Sequence, residues 1–227
     1  MSESLPIATL NESGFDDLVR YVQRLVQDQS QRLIVGIAGF PGSGKSTFAA
    51  QFVQCLNMYS DNSDLPFAVY MPMDGFHYTN AEIERHHLTG QKGSPPTFDA
   101  RAYIDLIRHA ANPTASFYFP HYDRTLHEPV YSKTDPYCLK VEHRIVITEG
   151  NYLLVEHPPW RELGEILSEA WFLDVPRSVC EHRLLKRHMA GGRDFDQAMQ
   201  QIRKVDRPNM NLIDSSRKQP DRILRWS

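Results

Sequence analysis

The segment from Gly39 to Ser46 constrains the fold of this chain more than any other part of the sequence. It reads GFPGSGKS, it follows the apolar stretch Leu33 to Ala38, and it opens a helical pattern that starts at Lys45. Glycines at these positions let a loop turn its backbone N–H groups towards one anion, and the following helix adds the positive end of its dipole. The pattern GxxxxGK[ST] between a strand and a helix therefore predicts a loop that holds nucleotide phosphates.

Each polar side chain of this loop has a predicted role. Lys45 is expected to contact the β- and γ-phosphates of a nucleoside triphosphate, and the Ser46 hydroxyl is expected to bind Mg²⁺. Thr47 is the next hydroxyl and is expected near the α-phosphate. The backbone contacts are expected from four further positions: Gly39, Gly42, Ser43 and Gly44.

Strand and helix patterns alternate along the chain. Short apolar runs without polar alternation predict strands that are buried on both faces: 33–38, 68–73, 116–119, 144–148 and 170–175. Helical spacing of apolar residues predicts the intervening helices: 14–29, 45–56, 99–111, 176–189 and one near 195–205. This alternation favours an α/β fold, a three-layer sandwich whose mostly parallel central sheet is covered by helices on both faces.

The length of 227 residues predicts one full domain with an elaboration, at about 150 residues per domain. We expect residues 1–30 to form an N-terminal helix packed on the core and residues 31–227 to form a single domain. Two connections in this domain, 75–98 and 120–143, are too long for simple turns. Both are rich in His, Tyr, Asp and Arg, which is typical of binding loops, so we expect them to hold the second substrate.

Composition and charge exclude several kinds of partner. The formal net charge of −3 provides no general cationic field for nucleic acid. No apolar run approaches the roughly 20 residues that a membrane-spanning helix needs. The first residues lack the basic start and the apolar stretch of an export signal, so we expect a cytoplasmic protein.

The cysteines and histidines predict neither a disulfide framework nor a zinc site. The three cysteines are odd in number, far apart and without CxxC spacing, so we expect reduced thiols. The histidines of the two long loops lack the paired spacing of zinc ligands. We expect them at the surface or facing a substrate, with His77 as a candidate substrate contact.

Two carboxylates follow predicted strands. Asp74 comes after the run that ends in MPM, and Glu149 comes after VIT. The carboxyl ends of parallel strands meet at one edge of the sheet, where the phosphate-binding loop also lies. We predict that Asp74 is the general base for an acceptor hydroxyl and also contacts Mg²⁺ through water, and that Glu149 belongs to the outer shell of the metal. Each acid could instead cap the turn that follows it.

Six segments resemble, in this order, the superfamily of phosphoribulokinases, uridine kinases and bacterial pantothenate kinases. They are GFPGSGKS, MDGFH, KGSPPTFD, FPHYDRTLHEPV, ITEGNYLL and HRLLKRHMAGGRD, and they cover most of the chain from Leu33 onward. The resemblance implies a P-loop NTPase fold with a helical lid, ATP and Mg²⁺ as cofactors, a small-molecule acceptor and a homodimer. It also implies that Asp74 activates the acceptor hydroxyl. The chain looks most similar to bacterial nucleoside- or sugar-kinase-like members, including kinases of fructose transport systems.

The resemblance places acceptor contacts in the two long loops. KGSPPTFD resembles the pantothenate kinase segment KGFPESYD, which implies an acceptor contact for Asp99, and PHYDRTLH resembles the uridine kinase pattern PxYDxxxH, which implies contacts for Tyr122 and His127. Arg124 stands where pantothenate kinases carry a histidine, which argues against pantothenate itself. Asp99 could instead cap the helix that it begins, and Tyr122 could be an ordinary half-buried aromatic residue.

A basic helix followed by two glycines predicts the lid, at about residues 183–194. Arg183 and Arg187 share one helix face and Arg193 follows the glycines, similar to the RxxR and GRD segments of uridine kinases. By that resemblance Arg183 and Arg193 contact ATP, and Arg183 and Arg187 act in catalysis. A solvated basic helix is the structural alternative. Asn209 or Asn211, in a segment similar to one of pantothenate kinases, is a further candidate contact of substrate or nucleotide.

These observations together predict a kinase that transfers the γ-phosphoryl group of ATP to a hydroxyl of a nucleoside, a sugar or a pantothenate-like acid. The motifs of GTP-hydrolysing switches and transporter ATPases, NKxD, DxxG and LSGGQ, are missing from the sequence. Two alternatives remain open. One is a regulatory nucleotide-binding ATPase without an acceptor. The other is a nucleoside monophosphate kinase, for which the acceptor phosphate would need a basic pocket from the cations Arg85, Lys92, Arg101 and Arg124.

Overall fold

The computed structural model describes residues 7–10, 12–27, 29–58, 67–134 and 136–226. In this part of the chain the strands are β1 Ile7–Leu10, β2 Leu33–Gly39, β3 Phe67–Tyr70, β4 Phe117–Tyr118, β5 His121–Asp123, β6 Glu128–Val130, β7 Cys138–Leu139, β8 His143–Gly150, β9 Glu169–Leu173 and β10 Arg222–Trp226. The helices are α1 Glu12–Gln27, α2 Lys45–Met58, α3 Asn80–Arg85, α4 Ala100–Ala110, α5 Arg177–Ala190, α6 Phe195–Gln201 and α7 Arg207–Ser216.

A six-stranded sheet in the order β1-β10-β9-β2-β8-β3 forms the centre of the molecule, and all of its neighbouring strands run parallel. Helices flank this sheet, so the predicted α/β fold is confirmed. The central strand β2 is buried along its whole length, as expected for a strand covered on both faces. The carboxyl ends of β2, β3 and β8 therefore lie along one edge of the sheet.

Aromatic packing joins α1 to the core. Phe15 of α1 contacts Phe48 and Phe52 of α2 edge to face, with ring centroids 5.3 and 5.7 Å apart. Phe52 in turn lies 5.6 Å from Trp171 of β9. Such pairs combine a large buried area with a favourable edge-to-face geometry. The sequence analysis did not predict β1, which precedes α1 and forms the edge of the sheet by pairing with β10.

Three elements differ from the sequence prediction. The run 116–119 does not enter the central sheet: β4 pairs antiparallel with β7 in a separate two-stranded sheet, and Tyr118 is exposed. The run 68–73 leaves the sheet at Tyr70, and a 3₁₀ turn at Met73–Phe76 follows. The helical pattern near 195–205 is divided into α6, a π-helical turn at Ile202–Asp206 and α7.

Arg32 organises the amino end of β2, opposite the phosphate-binding loop. The residue is 1% exposed, and its guanidinium donates hydrogen bonds to backbone carbonyls. The accepting carbonyl groups are those of His143, Ala110, Asn112, Pro113, Ala115 and Lys140, with nitrogen-to-oxygen distances of 2.5 to 3.3 Å. One side chain thus ties the end of α4 to the segments that enter β4 and β8.

Two further observations concern the cysteines and the helices of the described ranges. Cys55, Cys138 and Cys180 are free thiols. No helix in the described ranges is long and apolar enough to cross a membrane.

Candidate active site

The phosphate-binding loop has the backbone conformation that its glycines allow. Gly42 and Gly44 have φ values of +79° and +97°, in the left-handed region that disfavours other residues. A Cβ atom at Gly42 would lie 2.7 Å from the carbonyl oxygen of Cys180 in α5. The loop between β2 and α2 therefore forms a cradle that a side chain would fill, and α5 packs directly against it.

Lys45 is held inside this cradle. Its side chain is 7% exposed, and Nζ donates hydrogen bonds to the Phe40 carbonyl and to Oδ1 of Asn151, both at 2.9 Å. Burial lowers the pKa of Lys45, while the negative charges of Glu149 and Asp74 oppose that decrease. The sequence analysis did not single out Asn151, although it lies within the segment ITEGNYLL.

Ser46 and Glu149 provide oxygen atoms that fit a magnesium ion. The Ser46 hydroxyl donates to Oε1 of Glu149 at 3.1 Å, and the Tyr70 hydroxyl donates to the same oxygen at 2.9 Å. Burial raises the pKa of Glu149, and the negative charge of Asp74 adds to the increase. Mg²⁺ takes few protein ligands and keeps several waters, so this small donor set suits it. Within the described ranges, no group of three or more His, Cys, Asp or Glu side chains forms a separate metal site.

Asp74 lies on the 3₁₀ turn that follows β3 rather than on the strand itself, and it is half-buried. The turn packs closely on β8, since a Cβ atom at Gly150 would lie 2.6 Å from Sδ of Met73. The charge of Asp74 affects the pKa values of both Lys45 and Glu149, so the carboxylate shares their crevice. The structure thus brings together the three charged residues that the sequence predicts.

The β5–β6 hairpin reaches the same crevice from the other side. A Cβ atom at Gly75 would lie 2.2 Å from the carbonyl oxygen of Pro120, so only glycine permits this approach. It places Tyr122 beside His77, with ring centroids 5.0 Å apart. Burial raises the pKa of Tyr122 to about 12, and the charge of Asp74 adds to the increase.

His77 presents a neutral ring at this place. Burial lowers its pKa, and its Nδ1 lies 2.9 Å from the carbonyl oxygen of Asp74. Since a carbonyl only accepts, Nδ1 carries the proton and Nε2 can accept a hydrogen bond. Nε2 of His77 is therefore suited to accept a hydrogen bond from a hydroxyl group of a polar ligand.

The remaining predicted acceptor residues are more dispersed. Asp99 caps α4, with its side chain accepting from the N–H of Ala102 at 2.9 Å. Arg124 and His127 are exposed in the turn of the β5–β6 hairpin. Asn209 is buried and donates to the Gly93 carbonyl at 2.9 Å. Substrate contact by these four residues stays a prediction.

The predicted lid residues occupy different positions around the loop. Nη1 of Arg183 donates to the Ser43 carbonyl at 2.9 Å, within the phosphate-binding loop. The positive charge of Arg187 lowers the pKa values of Lys45, His77 and Tyr122. It adds to the effect of burial at Lys45 and His77, and it opposes the effect of burial at Tyr122. Arg187 therefore faces the space between the loop and the acceptor side.

Arg193 is held by a pair of residues that the sequence analysis missed. Its Nη1 lies 3.0 Å from Nδ1 of His188, and Nε2 of His188 lies 2.8 Å from Oδ2 of Asp206. Asp206 is buried and reaches His188 from the π-helical turn before α7. Such turns often occur at functional sites, but periodicity does not reveal them.

The four cations considered for an acceptor phosphate do not converge. Arg101 forms a two-pronged ion pair with Glu162, at 2.9 Å for both bonds. Arg85 and Arg124 are exposed. Lys92 is half-buried and lies near Tyr122, with Nζ 5.5 Å from the ring centroid.

Comparison with known proteins shows the family of this chain. The model of the "Phosphoribulokinase / Uridine kinase family" matches residues 34–226. A Schizosaccharomyces pombe protein named "Putative uridine kinase C227.14" is 31% identical, over 97% of this chain and 94% of its own length.

Solved structures show the same architecture. A Silicibacter sp. TM1040 protein described as "putative fructose transport system kinase" is 32% identical, with a TM-score of 0.82 over 94% of this chain and 98% of that one. YFH7 of Saccharomyces cerevisiae has a TM-score of 0.77 at 19% identity, over 94% and 98% of the two chains, and shares the fold. The chain belongs to the phosphoribulokinase / uridine kinase family and is a P-loop kinase.

Proposed function

We propose that this member of the phosphoribulokinase / uridine kinase family transfers the γ-phosphoryl group of ATP to a hydroxyl of a small polar metabolite, such as a nucleoside, a sugar or a polyhydroxy acid. The observation that carries this proposal is the position of Asp74. Its charge acts on Lys45 and Glu149, next to the phosphate-binding loop, and on His77 and Tyr122 of the acceptor side, and its carbonyl oxygen lies 2.9 Å from Nδ1 of His77. A base between a phosphate cradle and a polar pocket is the arrangement that transfer to an alcohol needs.

Each of these residues has a separate role in the proposed phosphoryl transfer. The hydroxyl oxygen of the acceptor attacks the γ-phosphorus, Asp74 takes its proton, and the bond to the ADP oxygen breaks. Lys45 and the loop N–H groups stabilise the negative charge on the phosphate oxygens. When bound, Mg²⁺ neutralises part of that charge, and Ser46 and Glu149 are the residues suited to hold it.

The arginines of α5 complete the charge balance around the transferred group. Arg183 already contacts the loop through the Ser43 carbonyl, and Arg187 faces Lys45 and Tyr122. Cations at these positions can stabilise charge on the equatorial oxygens. Closure of α5 and the following segment over the site would exclude water, which favours the alcohol over hydrolysis. The predicted cytoplasmic location and homodimer stay predictions.

The experiment combines an acceptor screen with one variant. ADP release by the purified protein is measured with ATP, Mg²⁺ and a panel of nucleosides, sugars and sugar acids. With the best acceptor, Asp74→Asn should reduce kcat by about 10² to 10⁴, the usual contribution of a general base. Binding of ATP to the variant should stay within a few-fold of the original value.

Asp105→Asn provides the matched control, because Asp105 is exposed on α4 and pairs with Arg108. It should retain full activity. ADP release that needs no acceptor and is unchanged by Asp74→Asn would contradict the proposal and would favour a regulatory ATPase.

A further inference from the structure

A cavity of about 430 Å³ lies between the acceptor loops and the lid. One wall comes from α3 and the segment that follows it, with Asn80, Glu84 and Lys92. A second part of the lining comes from Arg193 after α5 and from Gln201 of α6. Two cations and one carboxylate thus line the cavity, and the two cations come from different segments, the acceptor side and the lid.

Lys92 is held in place by neutral oxygen atoms. Its Nζ donates to Oδ1 of Asn80 at 2.8 Å and to the backbone carbonyl of His127. Among the residues that the structure describes, it forms no ion pair with a carboxylate. An ammonium group fixed in this way can give its charge to a ligand.

Arg193 is also positioned without an acid of its own. The Nδ1 of His188 accepts a hydrogen bond from Arg193, so the proton of the neutral ring is on Nε2 and points to Asp206. His188 and Asp206 are buried, whereas the Arg193 side chain is exposed. This chain of contacts orients one edge of the guanidinium and leaves its other N–H groups for a ligand.

The cavity adjoins the site of phosphoryl transfer. Lys92 lies over the ring of Tyr122, and Tyr122 lies beside His77. The pKa of His77, which burial lowers, responds to both neighbouring charges: Asp74 raises it and Lys92 lowers it further. His77 Nδ1 lies 2.9 Å from the Asp74 carbonyl oxygen, and Tyr122 connects His77 to Lys92, so these contacts join the base to the cavity.

We propose that the acceptor is an anion, and that Lys92 and Arg193 bind its carboxylate or phosphate group while its hydroxyl lies at Asp74; Arg193, which lines this cavity, is thereby assigned to the acceptor and not to ATP. This inference rests on the proposed function and deepens it. Because one cation belongs to the acceptor side and the other to the lid, the acceptor anion would contact both segments at once. A neutral alcohol would form no ion pair with either cation, so the same contacts favour an anionic acceptor.

The first test measures anion binding without catalysis. The probe is inorganic phosphate, titrated by calorimetry into protein that is saturated with Mg²⁺ and a non-hydrolysable ATP analogue, so that the phosphate-binding loop is filled. Wild-type protein should bind phosphate, and Lys92→Met and Arg193→Gln should each weaken that binding about tenfold or more. Arg85→Met, which removes an exposed cation from the end of α3, should change nothing.

Lys92→Met also removes two hydrogen bonds within the protein, so it could weaken phosphate binding by disturbing the fold. Arg193→Gln is therefore tested as a second, independent variant. Phosphate affinity that is unchanged in both variants, or no phosphate binding by the wild type, would overturn the proposal. Binding that is lost equally in Arg85→Met would overturn it as well, because it would indicate a diffuse charge effect.

The second test uses matched acceptor pairs: D-gluconate with D-glucitol, and D-ribose 5-phosphate with D-ribose. The anionic member should have the higher kcat/KM by about tenfold or more, and Lys92→Met should remove most of that preference by raising KM. If a neutral acceptor is preferred, the anionic acceptor is wrong although the kinase activity stands, and any phosphate bound in the cavity is a separate ligand. If neither the anionic nor the neutral acceptors cause release of ADP, the proposed function is wrong. The phosphate titration then still shows whether the cavity binds an anion.

Discussion

Glu149 is a carboxylate that the fold keeps buried near another acid, Asp74. Burial is the main cause of its raised pKa, and the charge of Asp74 adds to it. As pH rises from its ordinary value of 4.5, the unfolded chain therefore ionises this group before the folded chain does. The free energy of unfolding falls as pH rises through that interval, and the loss is complete once pH exceeds the raised pKa.

Glu149→Gln should remove this pH dependence. As pH rises above about 4.5, the wild type should lose stability relative to the variant, by about 1.4 kcal/mol for each unit by which the pKa is raised. Urea unfolding without Mg²⁺ at several pH values measures the difference. The variant should also gain less stability than the wild type from Mg²⁺ with a nucleotide, because it lacks the carboxylate suited to the metal. Parallel stability curves for the two proteins would contradict this account.

At the scale of single residues, the sequence predicted the parts of the site that follow from local chemistry. Lys45 and Ser46 belong to a contiguous motif, and Glu149 ends a recognisable strand. Tyr70 and Asn151 escaped prediction because their roles arise only from pairing across strands: both contact the site through partners about 80 or more residues away in sequence. A tyrosine in a buried strand gives no signal that its hydroxyl has a functional partner.

At the scale of elements, the acceptor side depends on the contact between the turn at Met73–Phe76 and the segment that enters β5. Gly75 permits this contact, and the hairpin carries Tyr122 to the crevice. Close packing of backbone against backbone leaves little room for relaxation, so a methyl group there must move the hairpin.

Gly75→Ala should therefore separate acceptor use from nucleotide binding. We expect the free energy of unfolding to fall by about 1 to 3 kcal/mol and kcat/KM for the acceptor to fall about 10²-fold. The Kd for ATP should stay within a few-fold, because the phosphate-binding loop is built on β2 and α2. Gly164→Ala is the control, since the nearest atom to a Cβ there is the terminal Nζ of Lys218, at 2.9 Å, on a flexible side chain that can move. Equal loss of ATP binding in Gly75→Ala would show that the two halves of the site are not separable.

Element prediction succeeded where periodicity was long and failed where elements were short. The helix at Lys45–Met58 and the strand at His143–Gly150 match their predicted cores. β10 was missed because its sequence, RILRW, has two arginines in five residues and resembles a loop. The π-helical turn at Ile202–Asp206 was missed because it keeps an almost helical apolar pattern.

At the scale of the whole molecule, the chemistry and part of the stability lie at opposite ends of the sheet. Arg32 precedes β2 and its guanidinium contacts only carbonyl oxygens, whereas the phosphate-binding loop follows β2. Backbone carbonyls that are buried without a donor destabilise a fold, so this arginine maintains several segments at once.

Arg32→Met should lower the free energy of unfolding by about 3 kcal/mol or more, because it leaves several buried carbonyls without donors. The fraction that stays folded should keep a normal kcat and a normal Kd for ATP. Chemical denaturation and activity at low temperature measure the two effects. Lys133→Met, at an exposed position, should leave stability unchanged. A loss of kcat that exceeds the loss of folded protein would link this end of the sheet to the chemistry.

The pairing of β1 with β10 has a consequence for how the chain is made. β1 emerges from the ribosome before the other described strands, yet its neighbour in the sheet is β10, which lies more than two hundred residues later. Until β10 is synthesised, β9 also presents an open edge that carries Trp171 and Phe172. A nascent or truncated chain that lacks residues 222–226 would therefore expose a template for pairing with other chains, which makes aggregation the characteristic failure of incomplete synthesis.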